Sequence, residues 1–290
     1  MHKSGFVNII GNPNVGKSTL MNALMGEKLS IITPKAQTTR HRILGIANGE
    51  DYQIVFSDTP GILTPKYKLQ EQMLSFVKSA LEDADIFIVL TEIGETIQHQ
   101  DILDRIQKSG IPVLLLINKI DLAQQEEVVR SISRWEKKYP QWRVLPISAL
   151  NSFNIDAVLN KIMELLPEAP PFYSKDDITD RPMRFFVAEM VREKILMNYQ
   201  QEIPYSVEVE VESYKDEEKL VRIRCNIHVA RQSQKGILIG HQGQALKKIG
   251  TEARKSIQDF IGKKVFLELY VKVSKNWREN DIHLKRFGYK

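Results

Sequence analysis

Gly11-Asn12-Pro13-Asn14-Val15-Gly16-Lys17-Ser18-Thr19 constrains this chain more than any other stretch. The apolar run Phe6–Ile10 precedes it and reads as a strand, and Thr19–Leu24 begins a helix. Glycines at such a junction let successive backbone N–H groups and the helix N-terminus face a polyphosphate. Lys17 is placed to reach β- and γ-phosphates, and the Ser18 hydroxyl to ligate Mg²⁺. The spacing implies a nucleoside triphosphate, cradled at a strand-to-helix turn.

Which nucleotide is a hydrogen-bond question. A carboxylate accepts from both N1–H and the 2-amino group of guanine, whereas adenine presents a bare acceptor there. Asn118-Lys119-Ile120-Asp121 follows the apolar run Val113–Ile117, at the carboxyl end of an expected parallel strand. Asp121 supplies the carboxylate, Asn118 is expected to hold the opposite edge of the base, and the Lys119 stem to cover the ring. Ser148-Ala149-Leu150, after Val144–Ile147, completes the pocket, with the Ala149 N–H expected to donate to guanine O6.

Asp58-Thr59-Pro60-Gly61 follows a third strand-like run, Tyr52–Phe56. Asp58 is expected to hold Mg²⁺ through water, and the Gly61 N–H to approach the γ-phosphate. Between this motif and the phosphate loop, Thr33–Arg40 is too polar for core. Thr39 is the expected Mg²⁺ ligand there, with Thr38 close behind. The residue after Gly61 is Ile62, where many GTPases place a glutamine that orients the attacking water. Isoleucine orients nothing, so intrinsic turnover is expected to be slow unless another group intervenes. Asn14 is the candidate, either holding K⁺ beside the phosphates or merely shaping the loop.

The chain has 290 residues, enough for two domains, and 42% apolar with 27% charged residues is an ordinary globular composition. No apolar stretch is long enough to span a bilayer. The first strand begins so near Met1 that no signal peptide is expected. The single cysteine, Cys225, excludes an internal disulfide, and the histidines form no metal-spaced cluster. A reducing cytoplasm is the expected compartment.

Residues 1–167 alternate apolar strands with helices and predict an α/β P-loop GTPase domain, a mostly parallel sheet covered on both faces. Ile43–Ala47 reads as an edge strand and Ile155–Leu166 as the closing helix. The Pro-rich stretch 168–182 reads as a linker. Residues 183–290 read as α+β: helix Phe185–Tyr199, strands Tyr205–Val211 and Leu220–Ala230, helices Ser233–Ile239 and Gln244–Phe260, and strand Val265–Val273. Glu208, Glu210 and Glu212 are expected to pair across strands with Arg222 and Arg224.

Basic charge belongs wholly to the second half. Residues 181–290 carry 22 Lys+Arg against 14 Asp+Glu, and residues 1–180 carry 19 against 22. Such an excess suits a polyanionic partner. Within it lies Lys235-Gly236-Ile237-Leu238-Ile239-Gly240-His241-Gln242-Gly243, followed by a helix bearing Lys247 and Lys248. A Gly-x-x-Gly turn between two short helices, in α-β-β-α-α-β order, resembles that of a type II KH domain. Such a loop clamps about four nucleotides of single-stranded RNA.

Taken together, the motifs resemble the Era family of bacterial RNA-binding GTPases along essentially the whole chain. The resemblance rests on the phosphate loop, Gln37–Arg42, Asp58–Gly61, Asn118–Asp121, Ser148–Leu150, Ile239–Gly243, Ile249–Arg254, Leu267–Lys272, the Trp277 segment and Phe287–Tyr289. It implies a monomer that hydrolyses GTP with Mg²⁺ and binds small-subunit (16S) rRNA near its 3′ end. A role in assembling or checking the 30S subunit, and peripheral association with the inner membrane, are implied in the same way. GTPases of tRNA modification or large-subunit assembly share several of the first-half features, and a membrane-associated cell-cycle or stress-signalling switch is a further reading.

Overall fold

The computed structural model describes every residue except Thr96, Gln98 and Lys290. It divides into two compact units: Met1–Thr64 with Met73–Asp180, and Pro65–Gln72 with Arg181–Lys290.

The first unit is built on a six-stranded sheet. Its strands are β1 (Lys3–Gly11), β2 (Ile43–Asn48), β3 (Tyr52–Asp58), β4 (Ile86–Glu92), β5 (Val113–Asn118) and β6 (Arg143–Pro146), in the order β2-β3-β1-β4-β5-β6. All pairings are parallel except β2 with β3. Helices α1 (Lys17–Met25), α2 (Lys68–Ala80), α3 (Gln100–Ser109) and α4 (Gln125–Lys138) lie in the connections between strands, and α5 (Ile155–Leu165) follows the last of them. The central strands bury both faces, which is why β4 and β5 are almost continuously apolar. Each run predicted from sequence forms a strand; β3 and β5 extend two and one residues farther toward the site, whereas β6 ends at Pro146, one residue short of the predicted Ile147.

The expected linker is more ordered than its prolines suggest. Lys3 and Glu168 form an antiparallel bridge, Phe172 packs on Phe6 with ring centroids 5.0 Å apart, and Gln53 Oε1 accepts from Phe172 N–H and Tyr173 N–H. Farther on, Ile46 N–H donates to Ile178 O at 2.9 Å and the Thr179 hydroxyl to Leu44 O at 2.7 Å. This strap covers the free edge of β2, where unpaired backbone would otherwise face solvent.

The second unit contains α6 (Met183–Asn198), α7 (Ile203–Ser206), β7 (Glu208–Asp216), β8 (Val221–Val229), α8 (Gln232–Ile239), α9 (Gln244–Ile261), β9 (Val265–Val273) and α10 (Asp281–Arg286). Its sheet order is β7-β8-β9, antiparallel then parallel. Ile249, Ala253 and Ile257 of α9 pack into one core with Val187 and Val191 of α6 and Ile223, Cys225 and Ile227 of β8. Burial pushes the Cys225 thiol up to about 12, so this cysteine is an inert core residue.

Two expectations are corrected here. Tyr205 belongs to the short helix α7 rather than to a strand, because Pro204 sets a helical φ at the helix start. The charge pairing across the sheet also has other partners. Glu208 and Glu210 lie opposite His228 and Asn226, and a register shift between Val211 and Ser213 leaves Glu212 out of line with Arg224. Glu208 instead accepts from the Tyr289 hydroxyl, Glu210 pairs with Arg286, and Glu212 with Lys272. Arg222 turns to Glu217, and Arg224 to Glu268 on β9. Among the described residues, no helix is long and apolar enough to cross a membrane.

Candidate nucleotide site and RNA groove

The phosphate loop joins β1 to α1 through left-handed backbone at Asn14 (φ 65°) and Gly16 (φ 99°). A Cβ on Gly16 would collide with the Asn118 amide, so glycine is required both by conformation and by space. Gly61 is equally confined: its Cβ would lie 2.6 Å from Pro13 Cα, which brings the Asp58–Gly61 segment directly against the phosphate loop.

A cavity of about 420 Å³ opens above this loop. Pro13, Asn14, Gly16, Lys17, Ser18 and Thr19 form its floor, with Thr59 and Gly61 at one wall. Lys119, Asp121 and Leu150 line the far end, over Asn118. With Thr38 and Thr39 also on its lining, the residues proposed from sequence therefore converge, although they come from five separate segments. Thr33, Pro34 and Gln37 of the polar segment also line the cavity, and so do Ile31, Ile32 and Leu122, which were not anticipated. Their only signal was adjacency to the motifs.

Gly11, Asn12 and Val15 act from beneath the surface. Lys17 Nζ donates to Gly11 O at 3.0 Å and Asn12 O at 2.7 Å, and Val15 is core. Burial lowers the Lys17 pKa to about 8, against the opposing pull of Asp58 and Glu95. Glu95 was not foreseen; it accepts from the Asn12 amide at 2.7 Å and from Thr91, fixing one flank of the loop.

Three oxygens meet where a divalent cation would bind. Ser18 Oγ lies 2.8 Å from Thr39 Oγ1 and 2.7 Å from Asp58 Oδ2, and Thr39 Oγ1 lies 3.4 Å from the same carboxylate oxygen. Asp58 is fully buried, and its Oδ1 makes no well-formed hydrogen bond to any described residue. Burial raises its pKa, only partly offset by hydroxyls of Ser18, Ser30 and Thr39 and by the Lys17 charge. A buried carboxylate with a spare oxygen, flanked by two hydroxyls, fits Mg²⁺. The Thr38 hydroxyl is turned to Lys35 O at 2.6 Å and to Thr33. Thr38 thus braces the loop while Thr39 faces the oxygens.

At the base end, Asn118 differs from expectation. Its Nδ2 donates to Val15 O at 2.8 Å and its Oδ1 accepts from Ala149 N–H at 2.9 Å. Asn118 is thus a strut joining the phosphate loop to the Ser148–Leu150 loop, and the Ala149 N–H is already engaged. Ser148 steadies that loop by accepting from Asn151 N–H, and Lys119 is held by an ion pair with Glu92. Asp121 stays exposed and faces the cavity. Thr59 donates to Ile9 O, Pro60 is buried beside it, and Ile62 packs into the core with its N–H on Gly11 O.

The second unit carries a separate groove of about 390 Å³, lined by Gly243, Leu246, Lys247, Gly250, Thr251, Arg254, Leu267 and Leu269. Gly240 and Gly243 both have positive φ, and a Cβ on Gly240 would lie 2.6 Å from that of Ala245. His241 and Gln242 are exposed at the turn, and Lys248 is exposed on α9 just beyond. Lys235, Gly236 and Ile239 belong to α8, which leads into it. The floor residues Leu267 and Leu269 and the wall residues Gly250 and Arg254 went unrecognised. The signal for Gly250 and Arg254 was helical spacing with Lys247 on one face of α9, and for Leu267 and Leu269 the alternation of a strand.

Residues 6–119 match the family model described as 50S ribosome-binding GTPase, and residues 202–278 match the KH domain. The chain is 46% identical over 292 residues to GTPase Era of Caldanaerobacter subterraneus subsp. tengcongensis, covering 99% of this chain and 98% of that one. The same name belongs to a Geotalea uraniireducens protein, 46% identical with equal coverage. The chain belongs to the Era family. Similarity that runs through both the GTPase and KH halves favours this family over the GTPases of tRNA modification or large-subunit assembly. Two solved Era structures superpose over almost the full chain. One, 40% identical with a TM-score of 0.95 over 100% of this chain and 99% of that one, holds MgGDPNP and nucleotides 1506–1542 of 16S ribosomal RNA. The other, a point variant of Aquifex aeolicus Era bound to GDP and AlF4⁻, is 41% identical with a TM-score of 0.94, over 99% of each chain.

Proposed function

We propose that this chain is a GTP-hydrolysing switch that binds the 3′ region of 16S rRNA and assists or checks assembly of the 30S subunit. The observation carrying the reading is its full-length similarity to a protein solved with both MgGDPNP and that RNA segment. The nucleotide cavity and the KH groove described above supply the chemistry. Ser18 and Thr39 would hold Mg²⁺ directly and Asp58 through water. Bound there, the ion neutralises charge on the β- and γ-phosphates. Lys17 adds a second positive charge, and the Gly61 N–H faces the terminal phosphate. With Ile62 in the core, no glutamine orients the attacking water, so intrinsic turnover is slow. Asn14, whose Nδ2 donates to Pro34 O at 3.3 Å, would offer its Oδ1 to a K⁺ ion that adds positive charge near the phosphates.

In the second unit, Gly240–Gly243 admits an RNA backbone, Lys247 and Arg254 meet phosphates, and the apolar floor takes unpaired bases. A monomer resident in the cytoplasm, attached peripherally to the inner membrane, completes the proposal on family resemblance alone. The test compares binding of a labelled RNA of the 16S 3′ region with an equally long single strand from elsewhere in 16S rRNA. Both are measured at fixed salt with a non-hydrolysable GTP analogue. Preference for the 3′ segment is expected; equal affinity would refute the rRNA assignment.

A further inference from the structure

Asn8 on β1 and Ser57 on β3 are register neighbours in the middle of the parallel sheet, and both are fully buried. Polar side chains in central parallel strands are costly unless satisfied. One residue satisfies both. Arg42 Nε donates to Ser57 Oγ at 2.7 Å and Nη2 to Asn8 Oδ1 at 3.3 Å. The same guanidinium grips Asp83 with two bonds, of 2.7 and 2.9 Å. Asn8 Nδ2 closes the network on Ala80 O at 2.6 Å and Asp83 Oδ1 at 2.8 Å.

The positions of these groups matter more than their number. Arg42 lies three residues after Thr39, where the phosphate-facing loop rejoins the sheet. Ser57 immediately precedes Asp58. Ala80 and Asp83 mark the carboxyl end of α2, the helix that follows Gly61. A single planar guanidinium thus ties the anchors of the two γ-phosphate-facing segments, Thr39 and Asp58–Gly61, to the carboxyl end of α2. Its two-pronged hold on a carboxylate fixes direction as well as distance.

We infer that Arg42 is a positioning residue for GTP hydrolysis, holding Thr39 in reach of the Mg²⁺ site through a clamp on Asp83. The inference rests on the GTPase reading given above. Thr39 contributes only while the γ-phosphate is present, because such loops are released when it leaves. Loosening the anchor lowers the fraction of chain in the closed state and weakens apparent GTP affinity by that fraction. GDP has no need of the closed loop, so its affinity is spared.

The test measures GDP affinity, affinity for a non-hydrolysable GTP analogue, kcat and thermal midpoint for Arg42→Ala, Arg42→Lys and Asp83→Asn. Arg42→Ala is expected to weaken the GTP analogue and lower kcat on the order of tenfold, with GDP affinity within about twofold. Lysine, which keeps charge without the fork, should recover only part of this. Asp83→Asn removes the carboxylate but keeps a polar group, and should reproduce the GTP-selective loss even if Arg42→Ala fails to fold. Parallel loss of GDP and GTP affinity, or no change in either, would overturn the inference. If the unmodified chain bound no GTP, the functional reading would fall instead.

Discussion

Two protons on guanine, at N1 and on the 2-amino group, decide what Asp121 can recognise. Asp121→Asn exchanges one acceptor for a donor and should weaken GTP while admitting xanthine nucleotides, by several orders of magnitude in relative preference. Competition of labelled GDP with GTP, ATP and XTP reads this directly. Lys17 makes a second prediction. In the free protein burial lowers its pKa to about 8, whereas bound phosphates restore the charge. Above pH 8 nucleotide binding must therefore take up a proton, and affinity should fall by up to about tenfold per pH unit. Calorimetry near pH 8.5 in two buffers of different ionisation enthalpy should show the uptake; none would mean Lys17 is charged before binding. At Asn14 the expectation is faster turnover in KCl than in NaCl at equal ionic strength, abolished by Asn14→Ala. A cation between Asn14 Oδ1 and the phosphates would stabilise charge developing in the transition state. No cation difference in the unmodified protein would leave Asn14 as a loop brace.

The Gly240–Gly243 turn owes its use to what surrounds it. Helix α9 buries Ile249, Ala253 and Ile257 and presents Lys247 and Arg254 on the groove side, so the turn is held rigidly at the groove mouth. Placing aspartate at both His241 and Gln242 should repel phosphates and reduce RNA affinity by at least tenfold, leaving GTP binding nearly unchanged. Persistent RNA binding would place the contact elsewhere. The same element shows what was legible in the sequence. Helix α9 and the strands that lead into the motifs could be read because periodicity and local composition encode them. The Arg224–Glu268 pair could not be, since it depends on which strand β9 joins and in what register. In the nucleotide site, contiguous motifs announced Lys17, Ser18, Asp58 and Asp121. The strut role of Asn118 was hidden, because its partners Val15 and Ala149 are remote in sequence and become neighbours only after β1, β5 and β6 align.

At the scale of the molecule, a GTPase joined to an RNA domain is a switch only if nucleotide state changes what the RNA domain does. The chain offers a physical route. Pro65–Gln72, beginning four residues past Gly61 and including the first turn of α2, belongs to the second compact unit, whereas the remainder of α2 belongs to the first. Within that second unit Lys68 Nζ lies 2.8 Å from Asp281, and Arg278 lies 4.9 Å over the Tyr67 ring. When the γ-phosphate leaves, the loop at Asp58–Gly61 is released, and the segment it leads into is part of the RNA-binding unit. RNA affinity is therefore expected to differ between GDP and a non-hydrolysable GTP analogue, by a factor of about 5–150. Linkage requires RNA to change GTP affinity by the same factor, an internal check on the measurement. The Lys68–Asp281 pair is exposed and contributes little stability of its own. Reversing Lys68 to Glu should thus leave each ligand's separate affinity nearly intact while shrinking the factor between nucleotide states, and adding Asp281→Lys should restore part of it. Equal RNA affinity in both nucleotide states would exclude a switch of this kind, and an undiminished factor in Lys68→Glu would move the coupling away from the Pro65–Gln72 segment.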